Sequence, residues 1–204
     1  MLARLVSALI TGFARLVTGV QARWVGCGAD PVQRVYFANH SSHGDFVLIW
    51  TVLPPALRAR TRPVAARDYW DEGGMRRFLI HRVFRGVLVE RGGDPKARDP
   101  LAPLIEALDG GDSLIIFPEG TRNTEEQMLP FKSGIYHLAR QRPRVDLVPV
   151  WIENVGRVMG KGQLIPVPLL CSVTFGAPMR LRDNEDKQAF LDRARQAIVE
   201  LQEP

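Results

Sequence analysis

The feature that most constrains this chain is a regular alternation of short apolar runs with amphipathic segments from Arg34 onward. Runs at residues 35–38, 63–66, 86–90, 113–117, 145–150 and 169–175 have strand length and are rich in apolar residues. Segments 45–53, 69–84, 100–108, 131–141 and 184–201 carry helical spacing. Pro54 and Pro55 end the first of these segments, Gly73 and Gly74 interrupt the second, and Pro100 sits at the start of the third. Strands alternating with helices predict an α/β fold, a mainly parallel sheet flanked by helices. With 204 residues, 46% of them apolar, the chain is long enough for one domain with a real core and too short for two ordinary ones.

The first thirty residues read differently. Leu2, Leu5, Val6, Leu9, Ile10, Phe13, Leu16, Val17 and Val20 form one apolar stripe at helical spacing, with Arg4, Thr11, Arg15 and Thr18 opposite. The uncharged run 5–14 is too short to span a bilayer, which takes ~20 apolar residues. Arg15 also interrupts what would be the apolar core of a signal peptide. The sequence therefore divides into an amphipathic helical segment at 1–30, lying in a membrane interface, and a domain at 31–204. The competing reading is that the stripe simply packs on the domain.

The net charge is +5, and Arg greatly outnumbers Lys. Arginine forks bind phosphate in a bidentate way, so an anionic partner is expected. The basic residues are scattered and carry no nucleic-acid motif, which favours phospholipid headgroups or the phosphates of an acyl carrier over nucleic acid. Cys27 and Cys171 have no metal-type spacing and suit a reducing compartment.

Chemistry concentrates at strand ends. The polar turn Asn39-His40-Ser41-Ser42-His43-Gly44-Asp45 separates the run at 35–38 from the following helix. A carboxylate on one ring nitrogen sets the tautomer of a histidine and leaves the other nitrogen free to take a proton. His40 and Asp45 suit these roles, although the same residues also serve as a turn and a helix cap. His40, His43 and Asp45 also suggest metal ligands, but His81 and His137 lie in helix-like stretches without matching spacing, so no metal site is expected. Three further segments come after it in order. They are Gly86-Val87-Leu88-Val89-Glu90-Arg91, then Phe117-Pro118-Glu119-Gly120-Thr121-Arg122, then Val148-Pro149-Val150. No Gly-x-Ser-x-Gly elbow is present.

Asn-His-x-x-x-x-Asp, Gly-x-x-x-[Glu/Asp]-Arg, Phe-Pro-Glu-Gly-Thr-Arg and Val-Pro-Val, in that order, resemble the pattern of the glycerolipid acyltransferases, in particular the 1-acylglycerol-3-phosphate O-acyltransferases. The resemblance covers residues 36–150. It implies transfer of a fatty acyl group from a thioester, acyl-CoA or acyl-ACP, to the hydroxyl of 1-acylglycerol-3-phosphate, giving phosphatidic acid. It makes His40 the general base and Asp45 its orienting partner. It assigns Arg91, Glu119, Gly120, Thr121, Arg122 and Lys132 to the phosphate and glycerol of the acceptor. Glu90 stands where Asp is commoner, a mild departure. The thioester is a co-substrate and no cofactor is implied. The implied partners are the lysophospholipid, the thioester donor, an acyl carrier protein and the membrane surface. The implied place is the cytoplasmic face of the inner membrane, as a peripheral or monotopic protein. The rival readings are the same chemistry on another lysolipid, such as a lyso-ornithine lipid, a metal-dependent hydrolase built on His40, His43 and Asp45, and a non-catalytic lipid-binding protein.

Overall fold

The run 35–38 becomes the centre of the molecule because all four side chains are fully buried. In the computed structural model, which describes residues 1–42, 44–90, 99–123, 127–153 and 171–202, this run lies in β2 (Arg34–Ala38). The other strands are β1 (Gln21–Trp24), β3 (Thr61–Ala66), β4 (Val87–Val89), β5 (Ser113–Ile116), β6 (Asp146–Glu153) and β7 (Ser172–Phe175). Among the described residues they form one sheet in the order β1-β7-β6-β2-β5-β3-β4. Only β6 and β7 pair antiparallel, so β1 and β7 run against the other five. The expected mainly parallel α/β sheet is therefore present.

Successive strand residues point to opposite faces, and here both faces are covered. Tyr36 and Ala38 join Ile115, Val148 and Val150 in one core layer. That layer is roofed by α1 (Leu2–Thr18), α2 (Asp45–Val52), α3 (Pro55–Arg58), α4 (Arg67–Trp70), α5 (Gly74–Phe78) and a π-helical turn, Leu79–Val83. Val35 and Phe37 join Leu114, Ile116 and Leu147 in the other layer. It is covered by α6 (Ala102–Asp109), α7 (Gly134–Gln141) and α8 (Lys187–Val199).

Element ends follow local chemistry. Leu53 is extended ahead of Pro54 and stops α2, as the residue before a proline is pushed out of the helical region. The second segment divides at Gly73 into α4 and α5, and the π-helical turn then carries the chain on toward Gly86. The helix expected from 131 begins at Gly134 instead, because the Lys132 N–H donates to Pro118 O at 2.7 Å. That bond holds the preceding residues in a turn against the end of β5. The last helix starts at Lys187 because Asp186 caps it, its carboxylate accepting from Gln188 and Ala189.

Two expectations for the first thirty residues need correction. Gln21–Trp24 forms β1, an edge strand of the main sheet, so this stretch is not helical throughout. And α1 carries two apolar faces rather than one stripe. Ala3, Val6 and Ile10 pack on the core, while Leu2, Leu5, Leu9, Phe13 and Leu16 face outward, 59–83% exposed. Thr11, expected on the polar side, is buried, its hydroxyl donating to Ser7 O and Ala8 O at 3.0 Å each. Arg15 reaches across to Thr51 O. No helix among the described residues is long and apolar enough to cross a membrane.

Candidate active site

The carboxyl ends of β2, β3 and β5 lie side by side, the usual place for a site in a parallel sheet. Asn39 directly follows β2, and its side chain locks onto the neighbouring strand. Its Nδ2 donates to Ile152 O at 3.0 Å, and its Oδ1 accepts from Ile152 N at 2.8 Å. The next residue, His40, is thereby fixed above the strand end.

Asp45 opens α2 and is fully buried. Its Oδ2 accepts from the backbone N–H groups of Ser41 (2.7 Å) and Ser42 (2.8 Å), which wraps the turn around the carboxylate. The same oxygen lies 2.9 Å from His40 Nδ1. With two main-chain donors already on it, this oxygen is an acceptor, so Nδ1 carries the proton and Nε2 is left as the basic nitrogen. The imidazole also stacks on Phe117, ring centres 4.2 Å apart and planes 18° from parallel. Ring and carboxylate are thus held from two sides, and 18% of the histidine side chain stays exposed.

Glu119 is buried beneath this turn. Its Oε1 accepts from His40 N at 2.8 Å and its Oε2 from Leu129 N at 3.1 Å. Burial raises its pKa above the ordinary carboxylate value, and the N–H groups of His40 and Leu129 partly oppose that rise. The shown work of Glu119 is to tie the two loops together, with Asn123 N–H to His40 O adding a second tie at 2.7 Å. Gly120 takes the left-handed conformation, φ 72°, that glycine adopts without strain. A side chain there would also crowd Lys132, with a Cβ only 3.1 Å from its Cγ.

A cleft of about 470 Å³ opens beside His40. Phe46, Val64, Ala65 and Trp70 give it an apolar wall, and Lys132, His137, Glu90 and Asp99 give it a polar one of mixed charge. Gly120 also borders it, whereas Thr121 and Arg122 are exposed outside its lining. Arg122 makes no hydrogen bond or ion pair with any described residue. Arg91 and His43 lie outside the described residues. No three His, Cys, Asp or Glu side chains converge as a metal site among the residues that are described.

The structure thus brings His40, Asp45, Glu119, Gly120 and Lys132 together. It adds Asn39 and Phe117 as supports of the histidine and His137 as a cleft residue. Asn39 had a signal in the sequence, as the first residue of the polar turn. Phe117 had only its place before Pro118.

Fold and site define an α/β protein with a histidine–carboxylate pair at the ends of its parallel strands, beside a cleft part apolar and part polar. The profile of the family described as "Acyltransferase" matches residues 28–153, and the chain belongs to that family. It is 34% identical over 170 residues to the human 1-acyl-sn-glycerol-3-phosphate acyltransferase alpha, covering 81% of this chain and 57% of that protein. It is 26% identical over 182 residues to the 1-acyl-sn-glycerol-3-phosphate acyltransferase of Cocos nucifera, covering 84% of this chain and 56% of the relative. The chain therefore spans little more than half the length of these relatives. The crystal structure of the lysophosphatidic acid acyltransferase PlsC from Thermotoga maritima superposes with a TM-score of 0.70 at 20% identity, over 99% of this chain and 82% of that one, a likeness of fold.

Proposed function

We propose that this chain transfers a fatty acyl group from an acyl thioester, acyl-CoA or acyl-ACP, to the free hydroxyl of 1-acylglycerol-3-phosphate, giving phosphatidic acid. The observation that carries the reading is the 2.9 Å contact of His40 Nδ1 with a buried Asp45 carboxylate at the mouth of the cleft. Nδ1–H donates to Asp45, and Nε2 takes the proton of the acceptor hydroxyl as its oxygen attacks the thioester carbonyl. The tetrahedral intermediate collapses with loss of the thiolate, which recovers the proton from the imidazolium. A thioester is already activated, so transfer runs directly between the two bound substrates without an acyl-enzyme.

Lys132 on the cleft wall receives the acceptor phosphate, with Arg122 and Arg91 as further phosphate-binding residues. Gly120 lets the backbone of that loop approach it, and Glu119 and Thr121 shape the turn. The apolar wall of Phe46, Val64, Ala65 and Trp70 suits an acyl chain. The outward leucines of α1, with Phe13, suit the headgroup–acyl boundary of a bilayer, where both acceptor and product reside. The enzyme so proposed is peripheral or monotopic, and its proposed place is the cytoplasmic face of the inner membrane.

The test is acceptor profiling. Purified protein is given an acyl thioester and either 1-acylglycerol-3-phosphate or a lysolipid lacking the phosphate monoester, and products are read by mass spectrometry. Phosphatidic acid is expected from the first and little product from the second. Efficient acylation of the second with none of the first refutes the acceptor assignment.

A further inference from the structure

A second cavity, of about 540 Å³, lies at the other end of the sheet from His40. It is lined by Arg58, Ala59 and Thr61, where β3 begins, and by Arg82 and Arg85, just before β4. The cleft beside His40 is instead lined by Ala66, where β3 ends, and by Trp70 beyond it. The roof of the second cavity is the first turns of α1, through Ala3, Arg4 and Ser7. Four arginines, Arg4, Arg58, Arg82 and Arg85, face one space, and no acidic side chain among the described residues lines it.

The positive charge there is poorly answered from within the protein. Arg4 and Arg82 are exposed and make no hydrogen bond or ion pair with any described residue. Arg85 reaches Asp112 at 3.2 Å, but Asp112 is shared with Arg62 at 3.3 Å. Arg58 is held by carbonyls, Thr51 O at 2.9 Å and Leu53 O at 2.8 Å, and by the Trp50 ring 5.3 Å from its guanidinium carbon, with no carboxylate on it, and its buried Nε finds no acceptor among the described residues. Arg15 converges on the same Thr51 carbonyl at 3.3 Å. Burial, and to a lesser degree the charge of Arg15 beside it, pulls the Arg58 pKa below its ordinary value. Arg85 is also one of two described non-glycine residues with positive φ, at 53°. That conformation is strained for a residue with a side chain, and here it is held by Arg85 NH1 to Ala59 O and Arg62 Nε to Arg85 O. Arg85 thus borders the pocket while its guanidinium bonds Ala59 O and Asp112, which leaves Arg4 and Arg82 as the cations there without a protein partner among the described residues.

We propose that this pocket binds a phosphate group, at a site separate from the catalytic cleft. Guanidinium forks match phosphate oxygens, and a concave site holding several of them is an anion receptor. The phosphate has two sources: the headgroup of an anionic phospholipid in the bilayer, or a soluble phosphate compound. Arg4 shares its helical turn with the exposed Leu2 and Leu5, so a bilayer that receives those leucines brings headgroups to the rim of the pocket.

The test uses the full chain and the double variant Arg4→Gln/Arg82→Gln, whose two side chains bond to no described part of the fold. A matched control, Arg23→Gln/Arg144→Gln, removes equal charge from positions outside the pocket. Sedimentation is measured with phosphatidylcholine vesicles and with vesicles containing phosphatidylglycerol, and thermal shift is measured with inorganic pyrophosphate. Wild type is expected to prefer the anionic vesicles, and the pocket variant to lose that preference by roughly fivefold per arginine. The control keeps it, and turnover in detergent is unchanged in both. If only the pyrophosphate shift disappears in the pocket variant, the soluble source is the ligand. Equal losses in pocket variant and control, or no loss in either assay, overturn the proposal.

Discussion

Asp45→Asn exchanges one oxygen for nitrogen in a residue that is fully buried, and the hydrogen bonds around it determine the effect. Oδ2 accepts from Ser41 N, Ser42 N and His40 Nδ1. An asparagine has one carbonyl oxygen, and the two serine N–H groups hold it. Oδ1 has no partner among the described residues, so the amide nitrogen takes that position, buried and without an acceptor, while the oxygen stays beside the imidazole. The oxygen beside Nδ1 is then neutral, so the imidazolium that forms when Nε2 takes the substrate proton loses its buried counter-charge. Loss of general-base catalysis lowers rate by ~10²–10⁴, equivalent to about 3–5 kcal/mol of transition-state stabilisation. Because the turn keeps its two main-chain hydrogen bonds, the fold should lose only about 1–3 kcal/mol, the cost of one ill-satisfied buried group. The assay is thiol release from acyl-CoA with saturating lysolipid, alongside chemical denaturation. The expected signature is a fall in kcat with KM for the acceptor nearly unchanged. A folded Asp45→Asn protein with kcat within a few-fold of wild type refutes the role of the Asp45 charge in supporting the histidine base.

Other residues give further expectations. Gly120→Ala places a side chain at φ 72° and 3.1 Å from Lys132 Cγ, and should cost ~1–2 kcal/mol in denaturant unfolding; an unchanged midpoint contradicts the strain. Glu119 has its pKa raised above 4.5 by burial, so the folded chain holds that proton more tightly than the unfolded one. Stability from this group is full below the unfolded value and is lost as pH rises through the folded one, a slope that Glu119→Gln removes. Unfolding free energies tracked upward from about pH 4 should therefore show the gap between wild type and variant narrowing, and parallel curves count against the buried carboxyl. Leu5→Glu/Leu9→Glu changes two residues 59 and 63% exposed, and should release the protein from neutral vesicles without lowering its melting temperature; unchanged vesicle binding rules out that face of α1 as the lipid contact.

Most of the sheet was legible because β2, β5 and β6 are uninterrupted apolar runs, as strands covered on both faces must be. β1 was missed because Gln21–Trp24 is a four-residue edge strand containing a glutamine and an arginine, and its only neighbour among the described strands, β7, begins at Ser172. Amphipathicity announced α1 but not its two destinations: packing on α2 and the π-helical turn uses one apolar face and leaves the other outside. His40 and Asp45 were readable because their contact closes a single turn. Glu119 was not readable in the same sense. In sequence it sits in a turn that suggests solvent, and only the register of β5 against β2 carries it under His40. The Asn39 clamp depends on Ile152, 113 residues away, and the Phe117 stack joins two separate loops. Such long-range contacts leave no local pattern.

The most direct measurement of the central claim is acceptor-dependent thioester consumption by wild type and His40→Ala in detergent or vesicles. The account predicts thiol release by wild type only when 1-acylglycerol-3-phosphate is present, and none above background from a folded His40→Ala protein. Full activity in that variant, or thiol release by wild type that ignores the acceptor, contradicts it.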